Sequence, residues 1–229
     1  MTDQDGQKHE AAAAALAEVA DGMVLGLGTG STAAIFVDLL GARVRDGLRV
    51  TGVPTSERTA EQARRLGIPL AGLDDYPALD VVIDGADEVD TGSFALVKGL
   101  GGALLREKLV ALAGRRMVVI VDEGKLVTGL GCGPVPVEIV AFGAATTLTR
   151  LRGAGAVPQL RPGPGGAPYR TDGGNFIADC RFASIPDPAA LHARLKMLTG
   201  VVETGLFPGL ASRIIVGAAN GPRILERPS

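Results

Sequence analysis

The segment Gly26–Thr32 has the sequence GLGTGST, which holds three glycines and three hydroxyl residues. Glycine lets a backbone approach an anion closely, and Thr29, Ser31 and Thr32 supply hydroxyl donors beside Gly30. A helix predicted to begin at Ser31 adds unpaired N–H groups and the positive end of its dipole. The composition favours binding of a phosphate group. A tight strand–helix turn without a ligand is the alternative, because the dinucleotide and P-loop signatures are both incomplete.

A second segment, Asp84–Asp90, has the sequence DGADEVD and holds four acidic residues among seven. It follows an apolar run, so Asp84 is expected at the end of a buried strand. Gly85 and Ala86 are small enough for Asp84 and Asp87 to face one pocket. Two carboxylates placed in this way could bind hydroxyl groups, carry protons or ligate Mg²⁺. A solvated acidic loop is the alternative interpretation.

A third segment begins at Lys98 and reads KGLGGALLREK. The lysine and the backbone N–H groups of Gly99, Leu100 and Gly101 could together stabilise a developing oxyanion. Lys125 follows the next predicted strand and is expected at an equivalent edge position.

The helix after this glycine-rich loop carries a candidate base. Ala103, Glu107 and Val110 are spaced to share one face of the helix, which would turn Glu107 toward the loop. The alternative is that Glu107 belongs to an exposed charged turn with Arg106 and Lys108. A pocket with an anion cradle, a carboxylate pair, an oxyanion site and a base suits proton abstraction next to a carbonyl of a phosphorylated sugar.

Elements that would position these residues alternate along the first half of the chain. We predict helices at 8–20, 31–44 and 55–67, strands at 23–28, 48–54 and 68–73, a buried strand with an acidic turn at 79–90, a strand, loop and helix at 94–114, and a strand with a loop at 115–127. This order predicts an α/β fold with a doubly wound, largely parallel, Rossmann-like sheet. In such sheets ligands bind beyond the carboxyl ends of the strands, where all three segments fall.

The pattern changes at Leu130, where strand, helix, strand, strand and helix follow one another. We therefore predict a small α+β, ferredoxin-like domain at 130–203, inserted into a Rossmann-like catalytic domain formed by 1–129 and 204–229. Residues Ile214–Val216 are expected to return to the main sheet.

Composition excludes several classes of function. The 229 residues carry 23 basic and 25 acidic side chains and a net charge of −2, and aromatic residues are 3%, which disfavours a nucleic-acid partner. Two cysteines and two histidines are too few for a zinc cluster. A polar start and short apolar runs predict a cytoplasmic protein with no signal peptide or membrane partner.

The motifs GLGTGST, VPTSERT, DGADEVD and KGLGGALLREK resemble, in order and approximate spacing, those of the type A ribose-5-phosphate isomerase family. TDGGNFIADC and GVVETGLF resemble the second domain of that family. The resemblance implies an isomerase that interconverts ribose 5-phosphate and ribulose 5-phosphate in the non-oxidative pentose phosphate pathway, without a metal or organic cofactor. It also implies a homodimer or homotetramer.

Residue roles follow from the same resemblance. Glu107 matches the group that moves a proton between C1 and C2 through an enediolate, and Lys98 with the loop amides matches the group that stabilises the enediolate oxygen. Asp84 and Asp87 match acids that contact sugar hydroxyls, and Asp87 is a candidate for opening the furanose ring. The implied substrate-binding residues are Lys8, Thr29, Gly30, Ser31, Thr32, Gly85, Ala86, Gly99, Leu100, Gly101 and Lys125.

Two places depart from the family pattern. Leu100 stands where the family usually has glycine, and it would be strained if the loop required a positive φ there. The segment Arg161–Arg170 is unusually rich in proline and glycine, so its local turn is not predicted.

Two other classes of function are weighed against the isomerase. A non-catalytic phosphosugar-binding sensor domain would need an output module. A nucleotide-dependent oxidoreductase would need an acidic residue after the second strand, where the sequence has Val53-Pro54-Thr55-Ser56.

Overall fold

A computed structural model describes residues 3–227 of the chain. The first elements along the chain are α1 (Asp3–Ala15), β1 (Val24–Leu27), α2 (Ser31–Arg45), β2 (Thr51–Pro54), α3 (Glu57–Arg65), β3 (Val81–Asp84), β4 (Glu88–Asp90), β5 (Leu96–Val97), α4 (Leu104–Ala113), β6 (Met117–Asp122) and β7 (Leu126–Val127). They are followed by β8 (Val135–Ile139), α5 (Ala144–Gly153), β9 (Val157–Leu160), β10 (Phe176–Arg181), α6 (Pro188–Lys196), β11 (Val201–Thr204), β12 (Leu206–Phe207), β13 (Ala211–Gly217) and β14 (Arg223–Glu226).

The described residues form two compact units. The first consists of the chain up to 86, 106–126 and the chain from 210 onward, and the second consists of 87–105 and 127–209. Residues 87–105, which the sequence predicts to belong to the main domain, contain β4 and β5. These strands join a sheet of the second unit, in which β5 pairs with β12. The predicted domain boundaries at 129/130 and 203/204 stay a prediction.

The first unit contains a six-stranded sheet in the order β14-β13-β6-β3-β1-β2. All neighbouring strands are parallel except β14, which runs antiparallel to β13. The predicted α/β class with a largely parallel sheet is therefore confirmed, and so is the return of Ile214–Val216, which pair with β6. Chain order reverses between β1 and β3, and the carboxyl ends at such a reversal are where sheets of this kind bind ligands.

Helices cover both faces of this sheet. Leu25 and Ile83 point into an apolar cluster to which α1 and α2 contribute. On the opposite face, a Cβ built at Gly26 would lie 2.7 Å from Val110 of α4 and 2.8 Å from Val82. Because side chains alternate along a strand, the even-numbered residues of β1 and β3 face α4.

The direction of α4 is set by its connection to β3. The amide of Leu79, just before β3, donates to the carbonyl of Ala113 at the end of α4 (2.8 Å). The end of α4 therefore lies at the amino edge of the sheet, and its first turn lies toward the carboxyl edge.

Three local predictions differ from the structure. The predicted strand Ile68–Leu73 is wrong, since only Leu70 forms a bridge, with Gly52, before a turn-rich stretch begins at Gly72. The helix predicted at 8–20 starts earlier, at Asp3, and its last residues Leu16–Glu18 tighten into a 3-10 turn. Glu88–Asp90, predicted as part of an acidic turn, is strand β4.

The second unit contains a four-stranded antiparallel sheet in the order β11-β8-β10-β9. With α5 after β8 and α6 after β10, the chain order is βαββαβ, the ferredoxin-like arrangement. A smaller sheet in the order β12-β5-β4-β7 carries the acidic and lysine segments of this unit.

The segment Thr171–Asn175 (TDGGN) of this unit supplies hydrogen bonds to a buried carboxylate. Glu138 of β8 accepts hydrogen bonds from the Thr171 hydroxyl and the Asn175 amide, both at 2.9 Å. Burial raises the pKa of Glu138 above its usual range, although these two donors act in the opposite direction. The segment therefore supplies the hydrogen bonds without which burial of the Glu138 side chain would cost free energy.

Within residues 3–227, no helix combines the length and the apolar character that crossing a membrane requires.

One ion cluster ties the start of the chain to the main sheet. Glu18 is 8% exposed and accepts hydrogen bonds from Arg116, just before β6, and from Arg213 of β13. Although burial raises the pKa of Glu18, the hydrogen bonds from the two arginines outweigh it and lower that pKa below its ordinary value.

Replacing Glu18→Gln is expected to lower the free energy of unfolding by about 1–3 kcal/mol at neutral pH, because charge-assisted bonds to a buried acceptor are lost. A depressed folded-state pKa stabilises the fold above the unfolded pKa of about 4.3, and that stabilisation disappears as pH falls through the folded value. Urea unfolding of both proteins across this pH range measures the difference.

Glu226→Gln is the matched control. Glu226 pairs with the same Arg213 at 2.6 Å, but its side chain is 59% exposed, so its loss should cost less than about 1 kcal/mol. Equal losses for the two variants would contradict the role assigned to Glu18.

Candidate active site

Asp84 joins the ends of β1 and β3. Its Oδ1 accepts hydrogen bonds from the amides of Thr29 (3.0 Å) and Gly85 (2.7 Å), and the Gly28 amide donates to the Ile83 carbonyl (3.0 Å). A Cβ at Gly28 would lie 2.2 Å from Asp84 Oδ1, so this close approach requires glycine. The carboxylate therefore shapes the Gly26–Thr32 turn.

The hydroxyl of Thr29 belongs to a buried group of four, here called the hydroxyl cluster: Thr29, Thr55, Ser56 and Thr59. Thr29 Oγ1 lies 2.7 Å from the hydroxyl oxygens of Thr55 and Ser56 and 3.1 Å from that of Thr59. The Thr55 and Thr59 hydroxyls donate to the carbonyls of Leu27 and Gly28, each at 3.0 Å. The cluster fixes the turn from inside, so the Thr29 hydroxyl is engaged within the protein.

The amino end of α2 has the features of an anion site. Gly30 precedes the helix with φ +122°, Ser31 is exposed and Thr32 is buried. The first turn of a helix leaves backbone N–H groups without intrahelical partners, and these groups attract anions.

The two predicted phosphate lysines lie near the carboxyl end of β6. Gln4 and Gln7 of α1 hydrogen-bond to Asp122 and Glu123, each at 3.4 Å. Lys8 follows Gln7, and Lys125 follows Glu123 by two residues, so the same contacts bring both backbones to this edge.

Glu107 is 4% exposed, so the alternative of an exposed charged turn is wrong for this residue. It precedes Val110 by three residues on the same face of α4, about 4.5 Å nearer the start of the helix. Gly28 follows Gly26 by two residues, about 6.6 Å nearer the carboxyl edge of the sheet. Since Val110 faces Gly26 and α4 runs toward the amino edge, the backbone of Glu107 lies nearer the carboxyl edge than Gly26 does, on the α4 side of the sheet that Asp84 also faces.

The neighbouring charge on α4 is directed elsewhere. Arg106 donates to Glu57 of α3 at 2.8 Å, and this hydrogen bond lowers the pKa of Glu57. The two side chains are 38% and 59% exposed, so this pair is a surface interaction, in contrast to Glu107.

The lysine segment lies in the second unit. The side chain of Lys98 is buried, and its Nζ lies 5.8 Å from the centre of the Phe207 ring. The Lys98 amide donates to the Gly205 carbonyl at 2.8 Å, which fixes the start of the glycine-rich loop.

Asp87 binds this loop directly, because its Oδ2 accepts the Leu100 amide at 2.9 Å. One of the three amides predicted for an oxyanion is therefore already engaged. Positive φ values occur at Gly99 (104°) and Gly102 (87°), whereas Leu100 is not among the residues with positive φ. Leu100 is 48% exposed and unstrained, so the departure from the family pattern is accommodated.

The other acids of the DGADEVD segment also hold backbone amides. Glu88 is buried and accepts from Gly131 (2.7 Å) and Gly133 (2.5 Å), and Asp90 accepts from the Gly92 amide (3.2 Å). The alternative of a solvated acidic loop is thus wrong for Asp84 and Glu88. In the described part of the chain, no group of three or more His, Cys, Asp or Glu side chains is arranged to hold a metal ion.

Several residues of this arrangement were not predicted. Thr55, Ser56 and Thr59 lie within the VPTSERT motif, whose dense hydroxyls were a signal without an assigned role. Arg161 contacts the carbonyls of Gly99 and Leu100, and its proline- and glycine-rich surroundings gave no indication of this.

Comparison with known proteins gives one family match that covers most of the chain. The sequence model of the family described as ribose 5-phosphate isomerase A (phosphoriboisomerase A) matches residues 51–221. Ribose-5-phosphate isomerase A of Nitrobacter hamburgensis is 52% identical over 229 residues, covering 97% of this chain and 98% of the relative.

Solved structures show the same similarity. A D-ribose-5-phosphate isomerase in complex with phospho-erythronic acid superposes with a TM-score of 0.95 at 41% identity, over 98% of this chain and 99% of that one. Ribose 5-phosphate isomerase A from Methanocaldococcus jannaschii gives a TM-score of 0.93 at 40% identity, over 96% and 98% of the two chains. On the family match, the near-complete relatives and these superpositions, the chain belongs to the ribose 5-phosphate isomerase A family.

Proposed function

We propose that Glu107, Asp84, Asp87 and Lys98 act on one phosphorylated pentose in this chain. The enzyme is an isomerase that interconverts ribose 5-phosphate and ribulose 5-phosphate. The observation that carries the residue assignment is the burial of Glu107 on the side of the sheet that Asp84 faces, nearer the carboxyl edge than Gly26.

In the proposed reaction, Glu107 takes the proton from C2 of the open-chain aldose. The electron pair moves into the C1–C2 bond and leaves an enediolate, whose negative charge Lys98 and the loop amides stabilise. A proton passes from O2 to O1 of this intermediate, so that the negative charge lies on O2. Glu107 then returns its proton to C1 as the C2=O bond forms, which completes the ketose without adding or removing atoms. A positioned base contributes about 10²–10⁴-fold, and fixed donors around the oxyanion add several kcal/mol.

The acids have separate proposed roles. Asp84 anchors the Gly26–Thr32 turn through Oδ1 and contacts sugar hydroxyls, with Gly85 and Ala86 leaving room beside it. Asp87 contacts the sugar and assists opening of the furanose ring. Its hydrogen bond with the Leu100 amide supports this role, because that bond holds the carboxylate and the loop in one arrangement.

The phosphate is proposed to bind at the start of α2. The amides of Gly30, Ser31 and Thr32 face the anion, and Lys8 and Lys125 neutralise part of its charge. Holding the phosphate fixes the distant C1 and C2 carbons against one carboxylate, which lowers the entropic cost of the reaction.

The alternatives are less favoured. Family membership and the buried Glu107 disfavour a non-catalytic phosphosugar sensor. The oxidoreductase lacks its ribose-binding acid, since Thr55 and Ser56 follow β2 and belong to the hydroxyl cluster. A cytoplasmic location, catalysis without metal or organic cofactor, a homodimer or homotetramer, and the lack of nucleic-acid and membrane partners are proposed by analogy with the family.

Glu107→Gln is expected to reduce kcat by about 10²–10⁴-fold, because the amide cannot accept the C2 proton. Conversion of ribose 5-phosphate to ribulose 5-phosphate, measured with EDTA present, gives kcat and KM. Glu61→Gln, an exposed residue of α3, is the matched control and should retain full turnover. Normal turnover by Glu107→Gln would rule out the assigned base.

Lys8→Gln and Lys125→Gln are each expected to raise KM for ribose 5-phosphate by about fivefold, with kcat little changed. That factor corresponds to the roughly 1 kcal/mol that two unit charges gain at 4 Å in water. Lys196→Gln is the control, since Lys196 pairs with Glu203 of the second unit. If KM for the phosphorylated sugar stayed at the wild-type value in both variants, these lysines would not contact the phosphate.

A further inference from the structure

Arg161 connects the glycine-rich loop to the sheet of the second unit. Its Nη1 donates to the carbonyls of Gly99 (3.1 Å) and Leu100 (3.0 Å). Its Nε and Nη2 donate to the two carboxylate oxygens of Asp179 in β10, at 2.9 and 2.5 Å. The Arg161 side chain is 12% exposed, so this bidentate pair is shielded from water and geometrically well defined.

The contact determines the orientation of two successive peptide planes. In a trans peptide, the C=O and the N–H of the next residue point in opposite directions. Arg161 holds the Gly99 carbonyl, and Asp87 holds the Leu100 amide of the same plane. Arg161 also donates to the Leu100 carbonyl. The Gly101 amide, which belongs to the same peptide plane as that carbonyl, therefore points away from the guanidinium.

The Arg161–Arg170 segment folds back so that both of its ends reach the loop. Pro162 and Pro168 form an antiparallel bridge, and the Tyr169 amide donates to the Arg161 carbonyl at 2.9 Å. A Cβ built at Gly102 would lie 2.1 Å from the Tyr169 hydroxyl oxygen. The prolines and glycines therefore form a turn that presents Arg161 to one end of the loop and Tyr169 to the other.

We infer that Arg161, held by Asp179, is a positioning residue that aims the Gly101 amide at the enediolate oxygen. The guanidinium also polarises the Leu100–Gly101 peptide, which makes its N–H a stronger donor. This inference rests on the proposed function, because it assigns a direction to the oxyanion-stabilising loop of that same site. It also assigns a role to the Arg161–Arg170 segment.

Arg161→Lys is the most informative variant, because it keeps the charge and loses the planar group that bridges Asp179 to two carbonyls. We expect kcat to fall about 10–100-fold, which is no more than the loss caused by deleting one oxyanion donor. The KM for ribose 5-phosphate should be nearly unchanged. Asp179→Asn should give a smaller loss of the same kind. Arg170→Lys is the matched control, because Arg170 lies in the same segment and contacts Gly174 and Phe176 instead, and its kcat should stay within about twofold of wild type.

A binding measurement separates positioning from general destabilisation. A phosphorylated aldonic acid carries a carboxylate in place of the enediolate, whereas inorganic phosphate probes only the anion site. Arg161→Lys should weaken binding of the sugar acid phosphate about tenfold or more and leave the affinity for inorganic phosphate unchanged. If Arg161→Lys weakened binding of both ligands equally, or kept the kcat of an active wild type, the role of Arg161 would be overturned and the proposed function would stand. A wild type without isomerase activity would overturn the proposed function as well.

Discussion

The part of the candidate site formed by the ends of β1 and β3 and the start of α2 depends on hydrogen bonds to the carboxylate of Asp84. Its Oδ1 accepts hydrogen bonds from the amides of Thr29, after β1, and Gly85, after β3. These two strands are the neighbours between which the strand order reverses. A charged acceptor of two backbone N–H groups stabilises a loop that regular secondary structure cannot hold. Gly28 is required for the same reason, because any side chain there would displace the carboxylate. The start of α2 and the hydroxyl cluster are both built around this turn.

The acids of the DGADEVD segment divide the task of ordering loops. Asp84 orders the Gly26–Thr32 turn, Asp87 the glycine-rich loop and Glu88 the Gly131–Gly133 turn. Each uses backbone amides as partners, and N–H groups that donate to a carboxylate stabilise its charged form. From its composition alone the segment could be a solvated acidic loop. In the structure, Asp84, Asp87 and Glu88 instead accept hydrogen bonds from the backbones of three different loops, so each position requires an acidic acceptor.

Periodicity and glycine placement predict the largely parallel sheet, the return of Ile214–Val216 and the order strand, helix, strand, strand, helix after Leu130, because these depend on local patterns. The strand at 68–73 was predicted wrongly because apolar residues there pack beside β2 without extending the ladder. The contacts of Arg161 and Tyr169 with the glycine-rich loop could not be predicted, since they join residues about sixty positions apart through a turn with no periodic signal. Likewise, the hydroxyls of VPTSERT predict polarity but not their common partner, Thr29.

The hydroxyl cluster has a consequence for how the enzyme responds to its surroundings. Four alcohol groups carry no charge at any pH at which the protein is folded, and their mutual hydrogen bonds are not weakened by dissolved ions as surface ion pairs are. The hydroxyl cluster therefore holds the Gly26–Thr32 turn through contacts that neither acidity nor ionic strength alters. The turn thus has one anchor that is an ionisable group, Asp84, and a second that is not.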